Sequence, residues 1–331
     1  MDRLALQGAW PGAVAVSGGG DSLALMHLLA NWAKARKAPP PVVLTVDHGL
    51  RAGSAGAARQ VARWAKAAGL KAHILTAKGP APRSDIEAQA RIARYALMGD
   101  WLVKKRIGAL YVGHTQDDQA ETFLLRLGRG SGLDGLSAMQ AFAPFPQIGF
   151  AGLAVARPLL GIKREGLRDW LTARRLAWLE DPMNQEARFA RGKIRLLAAQ
   201  LEAAGIPPAR IAAAAGHLAR AREALDLVTQ AVLERAARPS GEAVLLDPLA
   251  LAAAPREVGL RALARALMAM SGAQYRPRFD ALERLYDRVC SGKLGGGATL
   301  AGCRLAPAPR RLQAFGAQTL VLARESSRQP H

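Results

Sequence analysis

Three polar segments of this chain carry residue types that handle phosphates and amines. The first is Ser17-Gly18-Gly19-Gly20-Asp21-Ser22. Glycines let a backbone turn tightly and bring its amides close to a ligand. A helix starting directly behind them adds unpaired N–H groups and the positive end of a dipole, which together favour an anion. The hydroxyls of Ser17 and Ser22 can donate to phosphate oxygens, and Asp21 is a hard oxygen ligand suited to Mg2+. A carboxylate at that point reads as a metal ligand or as a helix cap. Three glycines alone would read as a flexible turn; the flanking serines, the Asp and the position after an apolar run decide for phosphate. The segment lacks the Gly-Lys-Ser/Thr ending of a Walker A loop, and G-x-G-x-x-G does not fit it.

The second segment, Val46-Asp47-His48-Gly49-Leu50-Arg51, places Asp47 and His48 at the end of a β-branched run. Its bland alternative is a capped loop with a surface arginine. The third runs from His114 to Thr122, with Asp118 and Glu121 three apart at a helix start, hence on one face. Two carboxylates beside a phosphate loop can hold Mg2+ or receive a cationic substrate; the alternative is favourable interaction with the helix N-terminus. His114 can equally be a structural loop histidine. Arg91 and Arg94 lie on the helix before this segment, facing the same cleft or forming a solvated basic face.

Such residues need a scaffold that brings strand ends together. The first ~130 residues alternate short apolar runs (12–16, 42–46, 71–75, 109–112) with amphipathic stretches (22–36, 54–68, 84–105, 117–127). Alternation of this kind predicts a parallel sheet with helices on both faces, whose ligands bind at the C-terminal strand ends beside the switch in strand order. Ser84-Asp85-Ile86-Glu87 has capping-box spacing and should open the long third helix. Phe142 to Gln147 reads as a linker or ordered crossover, 154–157 as a further strand and 163–175 as a basic helix. A polar loop follows at 180–186, then helices over 191–201, 208–236, 255–270 and 278–290, with short strands near 298–300 and 319–322. Residues 326–331 read as a disordered tail.

At 331 residues the chain can hold two or three domains. The formal charge of +20 favours polyanions, nucleic acid or an anionic membrane surface, although an Arg- and Ala-rich composition also follows from a high-GC genome. Two cysteines, Cys290 and Cys303, make neither a disulfide framework nor a Cys-x-x-Cys metal pattern, which fits a reducing cytosol. No apolar run approaches the ~20 residues of a membrane span, and the N-terminus is unlike a signal peptide. The expected location is cytoplasmic, with no membrane partner.

SGGGDS resembles the PP-loop, SGGxDS, of the N-type ATP pyrophosphatases, in which the loop holds the pyrophosphate end of ATP and cleavage falls between the α and β phosphates. With Arg129-Gly130-Ser131-Gly132, Arg157-Pro158-Leu159-Leu160, Glu180-Asp181-Pro182-Met183-Asn184 and Arg191-Gly192-Lys193-Ile194-Arg195, the chain is similar to the tRNA(Ile)-lysidine synthetase family. The similarity covers residues 12 to about 200 and continues more faintly to Gly296–Gly302 and Arg324-Glu325. Gly192 stands where the family often has Asn, and longer members carry a further C-terminal domain that this chain lacks or holds in shortened form.

The resemblance implies an α/β protein: a parallel-sheet PP-loop ATP pyrophosphatase domain (Rossmann-like, adenine nucleotide alpha hydrolase-like) over 1–205, then a smaller, mostly helical accessory and tRNA-binding domain with short strands over 206–331. It implies that free L-lysine is joined to carbon 2 of the wobble cytidine of the CAU-anticodon isoleucine tRNA, through an adenylated base, with ATP leaving as AMP and pyrophosphate. Ser17, Gly18, Gly19, Gly20, Asp21, Ser22, Asp47, His48 and His114 would hold ATP, with Mg2+ at Asp21. Asp21, Asp118, Glu121 and Arg94 would be catalytic, and Arg91, Arg129, Arg157, Arg191 and Arg195 would meet the tRNA. A homodimer stays open. The rival readings are a tRNA 2-thiocytidine synthetase, an amidotransferase-type ligase of NAD- or GMP-synthetase kind, and a non-catalytic RNA-binding protein. The first needs paired cysteines, and the first 289 residues have none.

Overall fold

The computed structural model describes residues 1–49, 53–77, 86–180, 190–273 and 275–325. The Ser84 capping box, Leu50-Arg51, the stretch 181–186, the tail 326–331 and the side chain of Arg191 lie outside that description. The chain divides into two compact units, Met1–Ala219 and Arg220–His331. The division falls inside the helix Pro208–Ala236, whereas the sequence suggests a boundary just before that helix.

The first unit is built on a sheet of six strands: β1 (Ala13–Ala15), β2 (Val42–Asp47), β3 (Ala72–Thr76), β4 (Ala109–Tyr111), β5 (Phe142–Pro144) and β6 (Ala154–Ala156). Their order is β3-β2-β1-β4-β6-β5. All neighbours run parallel except β5, which pairs antiparallel with β6 at the edge. The stretch from Phe142, which reads as a linker or ordered crossover, thus begins with an edge strand. Pro144 suits that place, because an edge strand can leave one amide position out of the ladder.

Alternation along the strands sends side chains to two cores. Val14, Val43, Tyr111 and Ala156 pack on one face, with helix α1 (Gly20–Ala35), helix α2 (Ser54–Ala67) and Leu167 and Leu171. Ala13, Leu44, Leu110 and Val155 pack on the other, against Tyr95, Met98 and Leu102 of helix α3 (Ile86–Lys105). On α1 the side chains of Leu23, Leu25, Met26 and Leu29 are fully buried, and each such burial is worth about 1.5–3 kcal/mol. Helix α4 (Gln116–Leu127) follows β4, and helix α5 (Arg164–Thr172) follows β6. The strand order reverses at β1, whose neighbours are β2 and β4. The loops leaving β1 and β4 thus part at their C-terminal ends and open a crevice.

The second unit holds an antiparallel sheet of order β7-β8-β11-β10-β9: β7 (Ala237–Ser240), β8 (Ala243–Leu246), β9 (Ala298–Leu300), β10 (Cys303–Pro307) and β11 (Leu320–Arg324). Its core is filled mainly from two helices, Arg256–Ser271 and Phe279–Cys290, with Val232, Ala236 and Leu251 beside them. The short strands expected there are parts of this sheet. The β7–β8 hairpin escaped the sequence reading because its signal is a Pro-Ser-Gly turn at the end of a long helical pattern; Gly241 takes φ 60° there. Among the described residues no helix is long and apolar enough to cross a membrane.

Candidate active site

The Ser17–Ser22 loop leaves β1 and enters α1, which begins at Gly20. Its hydroxyls hold the turn: Ser22 Oγ donates to the Gly19 carbonyl at 2.9 Å and lies 3.3 Å from Ser17 Oγ. The Gly19 N-cap has no side-chain cap bond, so the first amides of α1 remain available to an anion. Gly18 takes φ 96°, and a Cβ there would come within 2.7 Å of Leu179. The Leu179 N–H donates to the Gly18 carbonyl, laying the segment after α5 over the loop. On the other flank, a Cβ on Gly113 would lie 2.9 Å from the Asp21 carbonyl. Gly113 thus lets the end of β4 approach the phosphate loop, a role that no local motif announces.

Asp21 sits in the first turn of α1 but makes no cap. Its carboxylate pairs instead with an arginine: Arg164 Nε donates to its Oδ2 at 3.0 Å. The same guanidinium donates to Asp118 Oδ1 at 3.0 Å and to Glu121 Oε1 at 3.1 Å. Arg164 opens α5, and its backbone N–H is pinned by Asp117 Oδ2 at 2.8 Å. By sequence Arg164 is only one cation of the basic helix over 163–175. Here it ties the phosphate-loop carboxylate to the carboxylate pair.

Asp118 and Glu121 share a face of α4, as their spacing predicts. Asp118 is also the N3 partner of a capping box: its Oδ2 accepts from the N–H and hydroxyl of Thr115, each at 2.8 Å. Cap and site are the same group. Arg195 grips Glu121 through both oxygens, Nε to Oε1 at 2.7 Å and Nη2 to Oε2 at 3.1 Å. Burial raises the Asp21 carboxyl above the ordinary range, outweighing the attraction of Arg164. Burial pushes Asp118 up too, but the charge of Arg164 and the Thr115 bonds prevail and hold it below the usual carboxylate range. Burial pulls Arg164 down, yet its three carboxylates raise it further above its ordinary value.

A cleft of about 710 Å3 opens over these groups, lined also by His48, Arg91, Arg94 and His114. That volume is in the range of small-molecule and nucleotide pockets. Asp47 spends its carboxylate on its own loop, accepting from Ser54 Oγ at 2.6 Å and Gly49 N–H at 3.1 Å. These bonds hold its carboxyl low. Burial, then the nearby charge of Arg94, holds the His48 imidazole below its ordinary value. Arg91 stacks over Tyr95, 4.9 Å from the ring centre.

Two expected RNA contacts lie elsewhere. Arg129 is exposed past the end of α4 and does not line the cleft. Arg157 is only 8% exposed and donates to the Gln140 carbonyl at 3.0 Å, bracing the segment that leads into β5. A guanidinium so enclosed is not presented to a phosphate backbone. Arg195 lines the cleft and pairs there with Glu121. Among the described residues no group of three or more His, Cys, Asp or Glu forms a metal cage.

A parallel sheet with a glycine-serine phosphate loop at its switch point and carboxylates on the adjoining strand end defines an ATP-using PP-loop protein. The family model of the PP-loop domain matches residues 8–201. Curated relatives extend the likeness over nearly the whole chain. The tRNA(Ile)-lysidine synthase of Ruegeria pomeroyi is 44% identical over 86% of this chain and 67% of its own length. That of Methylobacterium nodulans is 41% identical over 92% and 90%, and that of Wolbachia pipientis wMel 36% identical over 96% and 71%. Among solved structures, the U34-tRNA thiolase NcsA from Methanococcus maripaludis shares the fold, with TM-score 0.52 and 16% identity over 63% of this chain and 72% of that one. The chain belongs to the tRNA(Ile)-lysidine synthase family.

Proposed function

We propose that this chain joins free L-lysine to carbon 2 of the wobble cytidine in an isoleucine tRNA with a CAU anticodon. ATP first adenylates the base, releasing pyrophosphate, and the lysine ε-amine then displaces AMP. The observation that carries this reading is the single guanidinium that links the phosphate loop to a carboxylate pair. Two half-reactions, one on a triphosphate and one with an amine, need those two groups side by side.

In this reading the amides and hydroxyls of Ser17–Ser22 offset charge that grows on the leaving pyrophosphate. Arg94 and Arg91 line the same cleft, and we assign Arg94 to the phosphates and Arg91 to the RNA. His48 and His114 border the nucleotide, while Asp47 shapes the turn beside it. Mg2+ keeps most of its waters and binds through one or two carboxylates plus substrate phosphates; Asp21, in the first turn behind the phosphate loop, fits that pattern without a cage. Mg2+ would supply positive charge to the phosphates. Asp118, held low and therefore charged, is the anchor for the ammonium, and Glu121 takes the proton that the amine must lose before it attacks. Arg195 then acts by placing Glu121. Arg129 and Arg191, with the unit from Arg220 onward, are assigned to the body of the tRNA. The enzyme works in the cytoplasm with its tRNA, and sedimentation decides between monomer and homodimer.

The test is a reaction with ATP, labelled lysine and a CAU-anticodon isoleucine tRNA transcript. The expected result is one AMP, one pyrophosphate and one lysine bound per tRNA modified. Pyrophosphate release without lysine incorporation, or sulfur entering the tRNA, would overturn the assignment. Both cysteines, Cys303 buried and Cys290 half-buried, lie in the second unit, which speaks against the sulfur-inserting alternative.

A further inference from the structure

The carboxylates that should receive the lysine ammonium are already neutralised by arginine. Asp118 Oδ1 takes Arg164 and Oδ2 takes Thr115; Glu121 Oε1 takes both Arg164 and Arg195, and Oε2 takes Arg195. An ammonium can reach them with full strength only by replacing a guanidinium.

Of the two arginines, Arg164 is the exchangeable one. It contacts Asp118 and Glu121 together, the geometry a single incoming cation would inherit. Neither carboxylate depends on it for its position, because Asp118 is fixed by the Thr115 capping box and Glu121 by Arg195. The Arg164 backbone is pinned by Asp117, so its side chain can turn without α5 moving. Its Nε already lies 3.0 Å from Asp21, at the rim of the phosphate loop. A triphosphate seated in that loop offers the guanidinium a stronger anion than the carboxylates do, and arginine is well matched to phosphate oxygens.

We propose, building on the lysine-ligase reading, that Arg164 is an exchangeable counter-ion: ATP in the phosphate loop draws its guanidinium away and so frees Asp118 and Glu121 for the substrate ammonium. The residue sets the order of binding and couples the two half-sites. Lysine bound before ATP would compete with an internal cation; lysine bound after ATP would not. Coupling of this kind is reciprocal and typically five- to 150-fold.

The experiment is lysine binding by calorimetry to the full chain, with and without α,β-methylene-ATP and Mg2+, for wild type, Arg164→Lys and Arg164→Gln. In wild type the ATP analogue should tighten lysine binding about tenfold. In Arg164→Gln lysine should bind about tenfold more tightly than in wild type without nucleotide, and the nucleotide should add little. Arg164→Lys, which keeps the charge, should fall between them. Norleucine, which lacks the ε-ammonium, should show no such gain. Circular dichroism and thermal melting report that the variants are folded. Weaker lysine binding in a folded Arg164→Gln would make Arg164 a mere brace and overturn the exchange alone. Failure of wild type to bind or incorporate lysine would overturn the ligase reading and the exchange with it.

Discussion

Each unit of this molecule contains an arginine held among carboxylates, and the two clusters are built differently. In the second unit Arg261 is 2% exposed and donates to Glu257, one turn earlier on its own helix, at 2.7 Å. Asp226 lies 3.6 Å away and is shared with Arg265. In the first unit Arg164 reaches partners 43, 46 and 143 residues distant, on α4 and α1. Arg261 is sealed among the core residues of its unit, and its carboxylates are partly wet; Arg164 lines an open cleft, and its carboxylates are the more buried partners of the cluster or close to it. A charge cluster shared by two helices of one core, its guanidinium sealed from solvent, fixes packing. A charge cluster gathered from the ends of separate elements, beside a phosphate loop, is placed to exchange partners.

The sharpest way to break this comparison is at Asp21. Asp21→Ala should lower pyrophosphate release by at least about 10²–10³-fold. Burial already disfavours the ionised carboxyl in the fold, so the melting temperature should stay within about 4 °C of wild type. Retained turnover with a clearly lower melting temperature would put the Arg164 cluster in the same structural role as that of Arg261.

Arg261→Met tests the other side. Loss of the buried guanidinium should cost about 1–3 kcal/mol of stability, read by denaturant unfolding. Pyrophosphate release at 25 °C should be unchanged. Lost activity at unchanged stability would show that the second cluster, too, serves the chemistry.

The smallest effect concerns the half-buried His27 of α1, whose imidazole burial holds below its ordinary value of 6.5. The fold favours its neutral form. The resulting contribution is present above pH 6.5 and is lost as pH falls from there toward the lowered value. Wild type should therefore lose melting temperature between pH 7 and pH 5, and His27→Gln should lose less. An unchanged pH slope in the variant would assign the acid sensitivity to other groups, His48 among them.

Much of the first unit was legible because its signals are local. Ser17–Ser22 lies between an apolar run and an amphipathic one, and Asp118 and Glu121 are one helical turn apart. Arg164 was not legible as a site residue, because nothing within α5 distinguishes it from Arg168 or Lys163. Arg195 was read as an RNA contact for the same reason, since a basic stretch looks solvated until an acidic partner is found. Arg195→Gln would therefore disturb Glu121.

By itself, the sequence determined the alternation of strands and helices, the phosphate loop at a helix start and the carboxylate pair on one helix face. Backbone preference, side-chain periodicity and capping act over a few residues, so short-range pattern suffices for them. Only the tertiary structure decided which cations neutralise those carboxylates, that Arg157 turns inward, and that β5 closes the sheet antiparallel. Ion pairing between distant residues depends on where the strand order delivers each loop. Here that order brings the ends of β1 and β4 and the start of α5 to one crevice, and no spacing along the chain encodes the meeting of Asp21, Asp118 and Glu121 around a single guanidinium.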